Sequence, residues 1–190
     1  MSYMKPSDTV KPRIVIMVGI PGSGKSFFAE HFSETFKAPL ISIHKIRQEL
    51  TTDSDNKEAV KQIINYILGE TLKTGKIIIY EGNTDRRSER TNLAKKAYEA
   101  GYDPIFVWVQ TEINDAKKRS TKTGGLSECE FENKLKQFSP PHASERFVVI
   151  SGKHTYNTQL KAILKSIIAP SAPKPVNLDR PAKTGRVLIR

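Results

Sequence analysis

The sequence predicts a three-layer α/β fold, a parallel sheet of about five strands with helices packed on both faces. Three observations predict it. Short runs rich in Val and Ile, apolar throughout, alternate with segments of helical periodicity, and strands buried on both faces read that way. The first such run, Arg13-Ile14-Val15-Ile16-Met17-Val18, leads into Gly19-Ile20-Pro21-Gly22-Ser23-Gly24-Lys25-Ser26. That stretch fits the G-x-x-x-x-G-K-[ST] phosphate-binding loop between a strand and a helix. After the loop, Phe27, Phe28, His31, Phe32 and Phe36 recur at helical spacing.

The elements follow in order. Residues 1–12 read as a flexible lead containing Pro6 and Pro12. The first strand covers about 13–19 and the first helix about 24–36. Pro39-Leu40-Ile41-Ser42 reads as the second strand, with a helix from near His44 to Leu50. Ser54-Asp55 is an N-cap signal. It introduces a longer helix with Val60, Ile63, Ile64, Ile67, Leu68 and Leu72 on one face, stopped by Gly75. Ile77-Ile78-Ile79-Tyr80 is the third strand. Leu93, Ala94, Ala97 and Tyr98 mark a helix that ends at Gly101. Residues 104–109 form the fourth strand, with Trp108 read as core. Thr111 is expected to cap a helix carrying Lys117, Lys118 and Arg119, before a break at Gly124-Gly125. Ser127 with Glu130 makes a capping box for a helix to about Phe138. Residues 146–150 are the fifth strand, and Thr155 caps a last helix whose Leu160, Ile163, Leu164 and Ile167 face inward. The folded domain is therefore 13–168, a P-loop NTPase-type sandwich. Residues 169–190 form a Pro-rich tail with five cations against Asp179, +4 of the chain's +11. Its last residues, Arg186-Val187-Leu188-Ile189-Arg190, are strand-like. They read either as tail or as a peptide for a sheet edge or a protein partner.

Composition narrows the class. At 190 residues one domain with a real core is expected. Cys129 is the single cysteine, which excludes an internal disulfide framework, and it reads as an inert thiol. No apolar run approaches the ~18 residues of a membrane span, and the polar N-terminus lacks a signal-peptide core, so a soluble cytoplasmic protein is expected. A net charge of +11 and a pI near 9.7 suit a nucleic acid or other polyanionic partner. A basic surface serving solubility is the alternative.

The loop states the chemistry. Gly19, Gly22 and Gly24, with Pro21 and Ser23 between them, let backbone N–H groups face phosphate oxygens. The following helix aims its positive end at the same anions. Lys25 would reach the β- and γ-phosphates and the Ser26 hydroxyl would sit on Mg2+, so ATP and Mg2+ are the expected ligands, with Phe27 beside them. In open α/β sheets the remaining groups gather at the carboxyl ends of the strands. Ser42-Ile43-His44-Lys45-Ile46-Arg47 follows the second strand and Glu81-Gly82-Asn83-Thr84-Asp85 the third. The basic helix after the fourth strand leads into the glycine break, the place for a mobile lid. Glu81 could hold Mg2+ directly or through water, act as the base, or only hydrogen-bond the loop. Asn83 and Asp85 are turn and cap residues first. His31, His142 and His154 show no metal spacing.

Taken together, these motifs resemble the polynucleotide 5′-hydroxyl kinases and the related zeta-toxin-type small P-loop kinases. The resemblance spans roughly residues 13–168. Glu81-Gly82-Asn83 is similar to that family's Asp-Thr-Asn, the stretch to Arg90 to its arginine-bearing helix, and Lys118-Arg119-Ser120-Thr121-Lys122 to its lid. The resemblance implies transfer of the ATP γ-phosphoryl to a hydroxyl, with a nucleic-acid 5′-hydroxyl favoured and a small metabolite next. It implies that Arg47, Asn83 and Arg90 meet the acceptor and that Arg119 or Lys122 closes over the phosphates. The family's general-base aspartate falls on His44, and histidine accepts a proton near neutral pH. A lid arginine falls on Thr123. The alternative class is a non-catalytic ATP-binding module whose lid and basic tail bind a partner.

Overall fold

The computed structural model describes residues 11–50, 57–123 and 125–168. The Ser54-Asp55 cap, most of the 1–12 lead and the 169–190 tail lie outside the described residues. Twelve elements follow one another: β1 (Arg13–Val18), α1 (Lys25–Phe36), β2 (Leu40–Ser42), α2 (Ile43–Leu50), α3 (Lys57–Leu72), β3 (Ile78–Glu81), α4 (Arg87–Glu99), β4 (Asp103–Gln110), α5 (Ile113–Thr123), α6 (Glu128–Gln137), β5 (Phe147–Ser151) and α7 (Tyr156–Ile168).

The strands form one parallel sheet in the order β2-β3-β1-β4-β5. Every residue of β1 is buried, as the uninterrupted Ile/Val run requires of a central strand covered on both faces. Alternate β1 residues feed two cores. Ile14, Ile16 and Val18 join Ile64, Leu68, Leu93 and Tyr102 on one face. Val15 and Met17 join Phe28, Phe32, Ile105 and Ile163 on the other. A third cluster, Ile20, Ala116 and Phe131, seats α5 and α6 against the phosphate loop.

Most boundaries agree with the sequence reading to within a residue or two. The Ser127–Glu130 capping box is present in both directions, and Gly75 and Gly101 adopt the left-handed conformation just after α3 and α4. Trp108 packs against the core with Phe147 edge-on at 6.2 Å. One local reading changes. Thr111 does not cap α5, because its hydroxyl donates to the Ser23 carbonyl at 3.1 Å. The helical spacing of the five positions in α1 is present, and one stripe of them is buried. Phe28 and Phe32 are buried, while Phe27 and Phe36 are exposed, since one stripe of a helix suffices to cover a sheet. Among the described residues no helix is long and apolar enough to cross a membrane.

Candidate nucleotide and acceptor site

The site lies at the carboxyl ends of the strands, centred on the loop between β1 and α1. Gly19, Gly22 and Gly24 all have positive φ. At Gly22 a Cβ would stand 2.2 Å from the Ala116 carbonyl oxygen, so α5 lies directly on the outside of the loop there. Lys25 turns its ammonium inward and donates to the Gly19 and Ile20 carbonyls at 2.7 and 2.8 Å. Burial pushes the Lys25 pKa down, opposed by the nearby Asp85 and Glu81 carboxylates. Ser23 is fully buried, and its hydroxyl has no hydrogen-bond partner.

Glu81 is the last residue of β3 and is buried. One of its oxygens accepts from the Ser26 hydroxyl and the other from the Ser42 hydroxyl at 3.0 Å. One oxygen is thereby aimed at the phosphate loop and the other at the end of β2. The donor set suits Mg·ATP: glycines without side chains, an inward cation, an orphan hydroxyl, and a hydroxyl–carboxylate pair of the hard oxygen type Mg2+ takes. Among the described residues no cluster of three or more His, Cys, Asp or Glu gathers elsewhere as a metal site.

Three hydroxyls to which the sequence reading gave no task at this site hold this arrangement. Ser42 orients Glu81. Thr84, buried, donates to the Met17 carbonyl at 2.7 Å and ties the β3–α4 loop to the end of β1. Thr111 holds the Ser23 carbonyl from the end of β4. Their shared signal was available: each is a polar residue at or just past the end of an apolar strand.

On the acceptor side, His44 and Arg47 sit one turn apart on α2 and both are exposed. Arg47 donates to Asn83 Oδ1 at 3.2 Å, and Asn83 takes a positive φ that turns it there. These two stand at the rim of a cavity of about 720 Å3 between α2, α3, β3 and α4. Leu50, Val60, Ile64, Leu68 and Leu93 give it an apolar floor. Tyr80 also lines it, with its phenol pushed up to about 12 by burial, so the hydroxyl stays a neutral donor. Lys61 faces Glu58 at 3.5 Å, Lys96 donates to Asn65 at 2.7 Å, and Glu89 accepts from the Arg86 amide at 3.1 Å. Arg47 and Lys96 each donate to an asparagine and form no ion pair among the described residues, and of the two Arg47 is the one on α2, one turn from His44.

Arg90, expected to meet the acceptor, does not reach the cavity. It is fully buried. Nε and Nη2 donate to Glu145 at 2.7 and 3.0 Å, and Nη1 and Nη2 donate to the Thr84, Ser139 and Pro140 carbonyls at 2.9, 2.9 and 3.2 Å. A residue read as a substrate ligand is thus a pin between the β3–α4 loop and the segment before β5. Burial raises the Glu145 pKa, but hydrogen bonds from Arg90 and the His142 amide outweigh it and hold the carboxyl below its ordinary value. This stabilisation is present above the unfolded-state pKa and is lost as pH falls through the folded one. Arg90→Met leaves Glu145 without its cation and should destabilise the domain by about 3 kcal/mol. That corresponds to roughly 6–12 °C in melting temperature. A scan at neutral pH showing an unchanged melting temperature would contradict this role.

Arg119 and Lys122 are exposed on α5. The same helix touches the loop through Ala116 and Ser120, which keeps its basic face next to the loop. Lys117 is instead engaged with Glu128 and Glu132 of α6 at 3.2 and 3.3 Å.

Comparison with known proteins agrees with this architecture. An APS kinase from Mycobacterium tuberculosis, solved with AMPPNP and APS, superposes with a TM-score of 0.65 at 15% identity, covering 85% of this chain and 100% of that one. A gluconokinase from Sinorhizobium meliloti gives 0.58 at 18%, covering 84% and 93%. A chain of the Pnkp1/Rnl/Hen1 RNA repair complex gives 0.60 at 20%, covering 69% and 45%. At these identities the likeness shows the fold, that of the P-loop kinases. No curated protein sequence matches the chain. Residues 14–141, from the first strand through the loop, both candidate acceptor residues and α6, match the AAA domain family, and the chain belongs to that family.

Proposed function

We propose that this protein is an ATP-dependent phosphotransferase that moves the γ-phosphoryl to a hydroxyl of a small acceptor held in the cavity between α2, α3 and α4. The observation that carries the reading is the placement of that cavity. Its rim bears Asn83 and Arg47, the latter one helical turn from His44, at the strand ends where the phosphate loop also lies.

Each residue has a task. Lys25 would leave the Gly19 and Ile20 carbonyls to neutralise the β- and γ-phosphate oxygens. Ser26 and Glu81 would hold Mg2+, which draws charge from those oxygens as the bond to the leaving group breaks. His44 would take the acceptor's proton as its oxygen bonds to the γ-phosphorus. Glu81 is the lesser candidate for that role, because both its oxygens are already engaged by Ser26 and Ser42. Arg47 would hold an anionic group of the acceptor, and Arg119 or Lys122 would close over the transferring phosphoryl.

The apolar floor disfavours a purely polyhydroxylated acceptor, whose hydroxyls would go unpaired there. The net charge of +11 favours a second reading, a nucleic-acid 5′-hydroxyl.

Incubation with γ-labelled ATP and a panel comprising a polyol acid, nucleosides, nucleoside monophosphates and a 5′-hydroxyl oligonucleotide tests both. Label should appear in a small acceptor. Arg47→Ala should raise that acceptor's KM by about 10-fold or more, as loss of a charge-assisted hydrogen bond does, with ATP affinity little changed. Label in the oligonucleotide, with affinity falling steeply as salt rises, would replace the small acceptor with nucleic acid. Tight ATP binding with no acceptor labelled would favour the non-catalytic module.

A further inference from the structure

Lys96 lines the acceptor cavity but has no task in the transfer itself. Like Arg47, it forms no ion pair among the described residues. Both cations rest on a neutral amide oxygen, Arg47 on Asn83 Oδ1 at 3.2 Å and Lys96 on Asn65 Oδ1 at 2.7 Å. An amide oxygen holds a cation in place without cancelling its charge, and a carboxylate makes the stronger bond. The acids of the lining are engaged elsewhere. Glu58 faces Lys61 at 3.5 Å, and Glu89 accepts from the Arg86 amide at 3.1 Å.

The two cations stand at opposite ends of the cavity. Arg47 and Asn83 meet just past the end of β3. From there α4 begins at Arg87 and runs back toward the start of β4, as a crossover between parallel strands must. Lys96 lies two turns along α4 from Glu89, about 10 Å at the helical rise. Its partner Asn65 lies two turns along α3 from Glu58. Between the ends the lining is aliphatic, with Leu50, Val60, Ile64, Leu68 and Leu93. Tyr80 is its one aromatic side chain among the described residues. A nucleobase finds little to stack on there, and the hydroxyls of a sugar would go unpaired.

We infer that the acceptor is an elongated hydroxy compound with an aliphatic middle and an oxyanion at each end, one against Arg47 beside the reacting hydroxyl and the other against Lys96. The inference rests on the acceptor cavity proposed above, and it makes Lys96 the residue that reads the acceptor's length.

The test measures binding without turnover. Wild type, Lys96→Met, Lys96→Arg and Lys95→Met are titrated calorimetrically with four probes. Suberate is an aliphatic dicarboxylate whose length matches the spacing of the two cations. Succinate is too short, octanoate has the length but a single carboxylate, and thymidine is an uncharged nucleoside. Wild type should bind suberate more tightly than the other three. Lys96→Met should weaken suberate about fivefold, as loss of one exposed ion pair does, and leave octanoate little changed, because its carboxylate keeps Arg47. Lys96→Arg should retain the preference for suberate. Lys95 is exposed, pairs with Glu99 at 3.9 Å and does not line the cavity, so Lys95→Met should match wild type. Melting temperatures should not move, because both lysines are exposed.

Wild type that binds suberate no better than octanoate or succinate overturns the inference. So does an equal loss of suberate and octanoate in Lys96→Met, which would make Lys96 a tie between α3 and α4. Thymidine bound more tightly than suberate overturns it in favour of a nucleoside. Mg·ATP titrated on the same proteins reports the donor site separately. Wild type that binds suberate but not ATP removes the phosphotransferase reading and leaves the ligand class of the cavity standing. Wild type that binds ATP but not suberate does the reverse.

Discussion

Lys25→Met is expected to abolish Mg·ATP binding at concentrations where wild type saturates, a loss of about 100-fold or more in affinity. In the proposed site the lysine would contribute charge-assisted hydrogen bonds to two phosphates, each worth roughly 1.5–3 kcal/mol, and nothing else in the loop can supply a cation from inside. Methionine keeps the aliphatic stem that fills the loop while removing the ammonium. The folded protein should be at least as stable as wild type. Burial lowers the Lys25 pKa, so the charged form is disfavoured by folding. That penalty is full below the folded-state pKa and disappears above the ordinary lysine value. Fluorescent-nucleotide titration and thermal melting, run side by side, give both readings. Unimpaired nucleotide affinity in a well-folded Lys25→Met protein would remove the phosphate-site assignment, and the phosphotransferase reading with it.

His44→Ala should cut the transfer rate by about 10²–10⁴, the usual contribution of a positioned general base, while ATP affinity stays near wild type. The residue is exposed and lies on the face of α2 that carries Arg47, so truncation should leave the melting temperature unchanged. His44→Asp should recover part of the rate, since a carboxylate on the same turn of α2 can accept the same proton. The measurement is single-turnover transfer to the acceptor identified by the labelled panel. A normal rate in His44→Ala would move the base to Glu81, and Glu81→Gln would then show the loss. Among the described residues no side chain hydrogen-bonds to His44, so the acceptor itself has to complete its alignment.

The phosphate loop and the alternation of strands and helices were legible in the sequence because both depend on short-range rules. Gly19, Gly22 and Gly24 answer to backbone conformation, and the Ile and Val runs answer to burial on two faces, each set within one element. Glu81 could be found in the same way, as an acid ending an apolar strand. Arg90 could not. An arginine facing the strand ends reads as a ligand, and only the folded chain brings Glu145 and the Ser139 and Pro140 carbonyls around it.

The same limit applies to the partners of Thr84, Thr111 and Ser42: their place at strand ends is legible, but the Met17 carbonyl, the Ser23 carbonyl and the Glu81 carboxylate that they bond come from elsewhere in the chain. It applies equally to Phe27 and Phe28, adjacent phenylalanines with opposite fates. By itself the sequence determined the fold class, the phosphate-binding loop and the strand ends where chemistry gathers, because periodicity and loop conformation are written in neighbouring residues. The tertiary structure alone decided which cations stay open to a ligand and which are buried as pins. It also decided which aromatic ring faces the core and which faces solvent. Those outcomes depend on partners tens of residues away, whose approach no local pattern encodes.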